Sequence, residues 1–207
     1  MKSIQSKDLN LSKKKILIRL DLNVPLNGKK IVDTNRIDKI IPTLKYLLKN
    51  NANIIILSHV GRPKGEVVNE LSLEPVREDL IRKLNQKITL VKQNINKIKV
   101  EDFFNKDCNI IMLENLRFYK EEENNDTNFA RSLAKLADIY INEAFSCSHR
   151  KHASVHSITE FLPSYQGIQF ELEVNSLKKI TDNIKHPISC IIGGSKISTK
   201  ISVIKNL

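Results

Sequence analysis

The sequence predicts an α/β fold: a parallel sheet held between layers of helices. Three observations carry this. Short apolar runs recur, among them Lys15–Leu20, Asn53–Leu57 and residues 109–113. Each is too short for a helix and apolar at consecutive positions, as in strands buried on both faces. Segments with helical spacing of apolar residues lie between them, and such alternation marks a parallel sheet with right-handed crossovers. Polar motifs then follow the runs, where ligands of open α/β sheets bind.

Strand Lys15–Leu20 gives way to Asp21-Leu22-Asn23-Val24-Pro25, and Pro25 stops it. Asn27-Gly28 marks a turn. Asp33 or Thr34 caps the next helix, whose Ile37, Ile40, Ile41, Leu44, Leu47 and Leu48 form an apolar stripe. Pro42 predicts a kink or break in it. Asn50-Asn51 ends the helix before strand 53–57. Ser72 is the expected cap of a second helix, with Pro75 in its first turn and Val76, Leu80, Ile81 and Leu84 on one face. Ile88–Val91 reads as a short strand, residues 100–104 as a helical turn and 109–113 as a buried strand. Residues 121–126 read as an acidic loop, 127–137 as a helix and 138–141 as a strand. Pro163 and Gly167 punctuate the chain near the end of this first domain. A helix over about 170–184 leads to strand 188–192, a Gly193-Gly194-Ser195-Lys196 turn and a last helix. One strand and one helix cannot make a core, so the second α/β domain reads as cut short. The expected division is a first domain over 1–168, a connecting helix over 169–187 and the start of a second domain over 188–207.

A chain of 207 residues is long enough to bury a sizeable core. Its formal net charge of +11 points to an acidic partner. The lysines are spread along the chain and no aromatic platform interleaves with them, so a solvated surface is preferred to a nucleic-acid interface. Cys108, Cys147 and Cys190 form no C-x-x-C pair, and an odd number argues against a disulfide framework. A reducing compartment is expected. The N-terminus has no apolar h-region, and no run approaches the roughly 20 apolar residues that span a bilayer. These features predict a soluble, cytoplasmic protein with no membrane partner.

Four strand ends deliver polar motifs: Asp21-Leu22-Asn23, His59-Val60-Gly61-Arg62, Asn115-Leu116-Arg117 and His149-Arg150. Arg36 joins them from the start of the first helix. In a parallel sheet these ends share one edge. Singly, each Arg reads as a surface charge. Together they describe a pocket for a small hydroxylated phosphate ester carrying a carboxylate, because planar guanidinium forks match both anions. Asp21 and Asn23 supply partners for a hydroxyl. Gly193 to Lys200 is an anion site in kind, with glycines exposing backbone N–H groups at a helix start and Lys196 and Lys200 one turn apart. It lacks the G-x-x-x-x-G-K-[ST] spacing of a Walker loop.

Taken together, residues 19–25, Ser58 to Pro63, Glu114 to Phe118, Asn142 to Phe145 and Gly193 to Lys200 resemble the phosphoglycerate kinase family, in the order that family uses. The resemblance runs from the N-terminus to Leu207. It implies a two-domain glycolytic kinase, acting as a monomer, that moves phosphoryl between 1,3-bisphosphoglycerate and ADP to give 3-phosphoglycerate and ATP, with Mg²⁺ carried on the nucleotide. By this resemblance Asp21, Asn23, Arg36, His59, Arg62, Arg117 and Arg150 bind 3-phosphoglycerate, with the backbone of Leu22, Val60 and Gly61 between them. Gly193, Gly194, Lys196 and Lys200 match nucleotide-phosphate positions, and Arg36 and Lys196 match the cations that meet the transferring group. No residue here matches a metal ligand. Val60 stands for the family's commoner Leu and Glu143 for its commoner Asp. Ser146-Cys147-Ser148 replaces the frequent Gly-Thr-Ala, which predicts a differently set loop before Arg150. The resemblance also implies that most of the nucleotide domain lies beyond Leu207. Three readings follow: a phosphoglycerate kinase, a 3-phosphoglycerate-binding fragment without turnover, and a basic nucleic-acid-binding module.

Overall fold

The structure is a computed structural model that describes residues 1–28, 30–105 and 108–182, together with 189 and 191. Cys190, Gly193, Gly194, Lys196, Lys200, most of the strand expected over 188–192 and the final helix lie outside the described residues. Nine strands are present among the described residues: β1 (Lys2–Ser3), β2 (Lys15–Leu20), β3 (Leu26–Asn27), β4 (Lys30–Ile31), β5 (Asn53–Leu57), β6 (Ile88–Val91), β7 (Ile110–Leu113), β8 (Ile139–Glu143) and β9 (Ser164–Gln166). Five α-helices accompany them: α1 (Asn35–Lys49), α2 (Glu74–Leu84), α3 (Lys120–Glu123), α4 (Thr127–Ala134) and α5 (Ile168–Thr181).

Seven strands form one sheet in the order β1-β9-β8-β2-β5-β7-β6, and every recorded pairing in it is parallel. Parallel pairing puts the carboxyl ends of β8, β2, β5 and β7 side by side on one edge. The strands are apolar on both faces because helices or 3₁₀ turns cover both. Ile16, Ile18, Ile54, Ile56, Ile110 and Met112 pack with Ile37, Leu44, Leu47, Val76 and Leu80 of α1 and α2. On the other face Leu17, Ile55, Ile111 and Tyr140 pack with Phe129, Ala130 and Leu133 of α4. The result is the three-layer α/β architecture expected from the alternation of elements.

The chain divides into two compact units, Met1–Glu171 and Leu172–Leu207, with the boundary inside α5. The described part of the second unit is chiefly the rest of that helix, where Ser176 and Thr181 hydroxyls donate back to the carbonyls of Leu172 and Leu177.

Several local expectations change. Helix α1 runs unbroken through Pro42. Proline in a helix interior costs about 3 kcal/mol. Ile37, Ile40, Leu44 and Leu47 are all buried on the sheet, at roughly 1.5–3 kcal/mol per large apolar side chain, so packing outweighs the penalty. Pro42 itself is exposed, so its helix face meets solvent. Ser72 lies one residue outside the assigned cap, Leu73. Its hydroxyl accepts from the Glu74 N–H while donating to Glu114, whose other oxygen accepts the Leu73 N–H at 2.8 Å. A carboxylate from the end of β7 thus serves the start of α2, a favourable placement for negative charge. The first part of the expected acidic loop belongs to the short helix α3. Asn142 and Glu143 belong to β8 itself, and β1, β9 and the β3–β4 hairpin around Asn27-Gly28 are additions to the sequence reading.

Candidate active site on the carboxyl edge of the sheet

Arg19 is a large, fully buried side chain under this edge. It sits on the central strand β2, in register with Leu57 of β5 and Asn142 of β8. The residue is 1% exposed and each guanidinium nitrogen has a partner. Nε donates to Ser154 Oγ at 3.0 Å, Nη1 to the Leu20 carbonyl at 2.7 Å, and Nη2 meets His59 Nδ1 at 2.7 Å. Ser58 ties the two neighbouring strand ends together: its hydroxyl donates to the Leu20 carbonyl and accepts the Leu22 N–H. The loops above β2 and β5 therefore start from a rigid base.

Gly61 turns the β5 loop. Its φ of +67° is the left-handed region that favours glycine, and a Cβ there would lie 2.6 Å from the Leu71 side chain. Its N–H donates to Asn23 Oδ1 at 2.9 Å and its carbonyl accepts from Arg117 Nη1 at 2.7 Å. One residue thus joins three of the expected motifs. Asn115 locks the same loop from below, donating to the carbonyls of Val60 and Leu71 and accepting the Arg117 N–H. On the other side Arg36 pairs with Asp21, and the Ser146 hydroxyl donates to the same carboxylate oxygen.

Arg117 is the most unusual member. It is 2% exposed, yet its Nε and Nη2 have no hydrogen-bond partner among the described residues. Nε lies 3.4 Å from a Glu123 oxygen, an ion-pair contact only. Burial pushes the Arg117 pKa down, with Arg150 and Arg19 acting in the same sense and Glu123 against it. His59, 3% exposed, is likewise pushed down, first by burial and then by Arg19, Arg117, His152 and Arg150. His59 is thus a neutral ring among cations. A buried guanidinium with unused donors is costly in isolation. Its geometry suits an anion with several oxygens.

The structure brings Asp21, Asn23, Arg36, His59, Gly61, Arg117 and Arg150 to this one edge. A cleft of about 450 Å³ there is lined by Asn23, Arg36, Val60 and Gly61, among others. Arg62 follows Gly61 directly and is exposed, as are Arg36 and Arg150. Two expectations change in detail. The Leu22 and Gly61 N–H groups are already bonded within the protein, and the Val60 carbonyl is taken by Asn115. Asp21 and Asn23 are likewise engaged, so they shape the edge as much as they offer it. Sequence reasoning placed Arg19, Ser58 and Asn115 in its motifs but missed that they form, with Glu122 and Ser154, a supporting shell under the edge. Arg19 was legible as a charge inside an apolar strand; Ser154 had no local signal. Gly193, Gly194, Lys196 and Lys200 lie outside the described residues, so no geometry bears on them.

Comparison with known proteins gives the same direction. A family model described as phosphoglycerate kinase matches residues 6–207. The chain is similar to the phosphoglycerate kinase of Moorella thermoacetica, 42% identical over 208 residues, covering 100% of this chain and 53% of that protein. It is 48% identical over 206 residues to that of Wolbachia pipientis wMel, covering 99% of this chain and 51% of the relative. Among solved structures, phosphoglycerate kinase from Coxiella burnetii matches with a TM-score of 0.84 and 35% identity, over 96% of this chain and 50% of that one. The enzyme from Pyrococcus horikoshii matches with a TM-score of 0.87 and 26% identity, over 99% and 52%. The chain spans about half the length of the curated relatives it matches. With a model match over almost its full length, this chain belongs to the phosphoglycerate kinase family.

Proposed function

We propose that this chain carries the 3-phosphoglycerate-binding half of a cytoplasmic, monomeric phosphoglycerate kinase. The reaction is reversible phosphoryl transfer between 1,3-bisphosphoglycerate and ADP, giving 3-phosphoglycerate and ATP. The observation that supports it most is Arg117, a buried guanidinium with two unused donor atoms beside Gly61 and a neutral His59. Arg36, Arg62 and Arg150 add exposed cations at the same strand ends, and a phosphate and a carboxylate on one small molecule neutralise such a cluster. Bonds of this charge-assisted kind contribute roughly 1.5–3 kcal/mol each. Asp21 and Asn23 face the ligand's hydroxyl. Leu22, Val60 and Gly61 shape the backbone between them.

The acceptor for phosphoryl in the ATP-consuming direction is a carboxylate, already ionised. No general base is needed, and catalysis reduces to alignment and positive charge around the moving group. Arg36 supplies this charge from the first domain; its pairing with Asp21 engages one of five N–H donors. Lys196 supplies it from the nucleotide side, with Gly193, Gly194 and Lys200 on the nucleotide phosphates. Mg²⁺ arrives with ATP or ADP and neutralises phosphate charge when bound. His59 is a hydrogen-bond partner of the substrate, not an acid or base.

The test is a thermal melt with and without 3-phosphoglycerate, run beside a coupled assay with Mg-ATP. Stabilisation that disappears in Arg62→Ala is expected. Stabilisation without product selects binding without turnover by this chain. Melts that 3-phosphoglycerate leaves unmoved contradict the reading.

A further inference from the structure

A buried chain of hydrogen bonds runs from Glu122 to His59. Glu122 belongs to α3, and Ser154 follows β8; both are fully buried. The Ser154 hydroxyl donates to Glu122 Oε1 at 2.6 Å, and the Ser154 N–H donates to Oε2 at 2.9 Å. The Ala153 N–H also bonds the Glu122 carbonyl, at 2.9 Å. Ser154 Oγ accepts from Arg19 Nε at 3.0 Å, and Arg19 Nη2 reaches His59 Nδ1 at 2.7 Å.

Only one polarity satisfies this chain. A guanidinium has donors and no acceptor. His59 Nδ1 must therefore offer a lone pair, since a proton there would set one N–H against another at 2.7 Å. The ring's one remaining proton sits on Nε2, outside the chain of bonds that ends at Nδ1. Ser154 acts as the adaptor: its single O–H points to Glu122, leaving a lone pair for Arg19. Glu122 anchors that orientation and places negative charge behind the guanidinium. The groups facing the ring are Arg19, Arg117, Arg150 and His152, with Glu122 behind them.

We infer that Glu122, acting through Ser154 and Arg19, is a positioning residue that holds His59 as the neutral Nε2–H tautomer, presenting a fixed hydrogen-bond donor to an anionic oxygen. This rests on the proposed binding of 3-phosphoglycerate for its functional meaning, but not for its structural content. The tautomer exists before any ligand arrives. It gives the edge a donor that adds no further positive charge to a crowded set of cations.

The test is ¹⁵N spectroscopy of the histidine rings in the full, ligand-free chain. His59 is assigned among the five histidines by its absence in His59→Asn. The wild type is expected to show one His59 form, protonated on Nε2 and bare on Nδ1, unchanged from about pH 8 to about pH 5.5. In Ser154→Ala the ring is expected to exchange between its two neutral tautomers, because Arg19 is no longer held in one orientation. Glu122→Gln carries the same readout should Ser154→Ala fail to fold, and the wild-type spectrum is a test in its own right. An Nδ1–H or doubly protonated ring in the wild type overturns the inference, as does an unchanged His59 signature in a folded Ser154→Ala or Glu122→Gln. A second titration with 3-phosphoglycerate separates the two claims. A correct tautomer without binding defeats the functional reading alone; binding with the wrong tautomer defeats only this inference.

Discussion

Arg117 shows how the site and the stability of the ligand-free chain oppose each other. Its one short hydrogen bond goes to the Gly61 carbonyl, and two buried nitrogens are left over. Replacing a poorly compensated buried charge with an apolar side chain of similar length is often neutral or stabilising. Arg117→Met is therefore expected to leave unfolding free energy within about 1 kcal/mol of the parent. The same change should remove stabilisation by 3-phosphoglycerate. Urea denaturation with and without ligand measures both, and a loss of several kcal/mol without ligand would mark Arg117 as structural instead. His59 gives a pH prediction with a definite sign. Burial holds its folded pKa well below the usual value, with Arg19, Arg117, His152 and Arg150 adding to the effect. Below about pH 6.5 the unfolded chain binds a proton there that the folded chain does not, so stability falls as pH falls. Between about pH 6.5 and 5.5 this one group removes about 1 kcal/mol. His59→Asn should lack that component. Parallel denaturation curves at the two pH values, compared between variant and parent, isolate it from Glu143, whose carboxyl burial pushes up, and from every other group.

The joints between elements carry a second kind of constraint. Glu143, the last residue of β8, accepts the Gln169 and Phe170 N–H groups at the start of α5, and the Thr43 hydroxyl of α1 donates to it. A carboxylate at a helix start is well placed. It is also packed hard against Gly167, where an added Cβ would lie 2.1 Å from Glu143 Oε2. Gly167→Ala is expected to cost about 1–3 kcal/mol, read from the urea midpoint. Combining it with Glu143→Ala should cost less than the sum of the two single changes, because the second removes the clashing atoms. Most elements were legible because their cause is local. The apolar runs of β2, β5 and β7 and the stripe of α1 appear directly in the sequence. What sequence could not show depended on partners far along the chain. Strand β9 is only three residues and pairs with β8 and β1. The start of α2 depends on Glu114, some 40 residues away. Pro42 misled because local propensity was overruled by burial on the sheet.

Across the seven-stranded sheet, parallel order converts separate sequence motifs into one surface. The edge is readable from the sequence, since strand ends in a parallel sheet must fall together. The motif residues Asp21, Asn23, His59, Gly61 and Arg117 do meet there. The supporting shell was not readable, because Ser154 and Glu122 become neighbours of Arg19 only after folding. A net charge of +11 draws anions of many kinds, and such attraction weakens with salt. Specific recognition must therefore be distinguished from general attraction. Arg36→Met is expected to weaken 3-phosphoglycerate binding while freeing Asp21, with a loss of about tenfold or more in affinity by calorimetry. Binding by Arg36→Met equal to that of the parent would remove Arg36 from the site. The most direct measurement is a map of backbone amide shifts as 3-phosphoglycerate is titrated into the ¹⁵N-labelled chain at physiological salt. Saturating shifts concentrated at residues 21–23, 59–62, 115–117 and 146–150 are the predicted result. Shifts that fail to saturate, or that gather away from the carboxyl edge of the sheet, would contradict it.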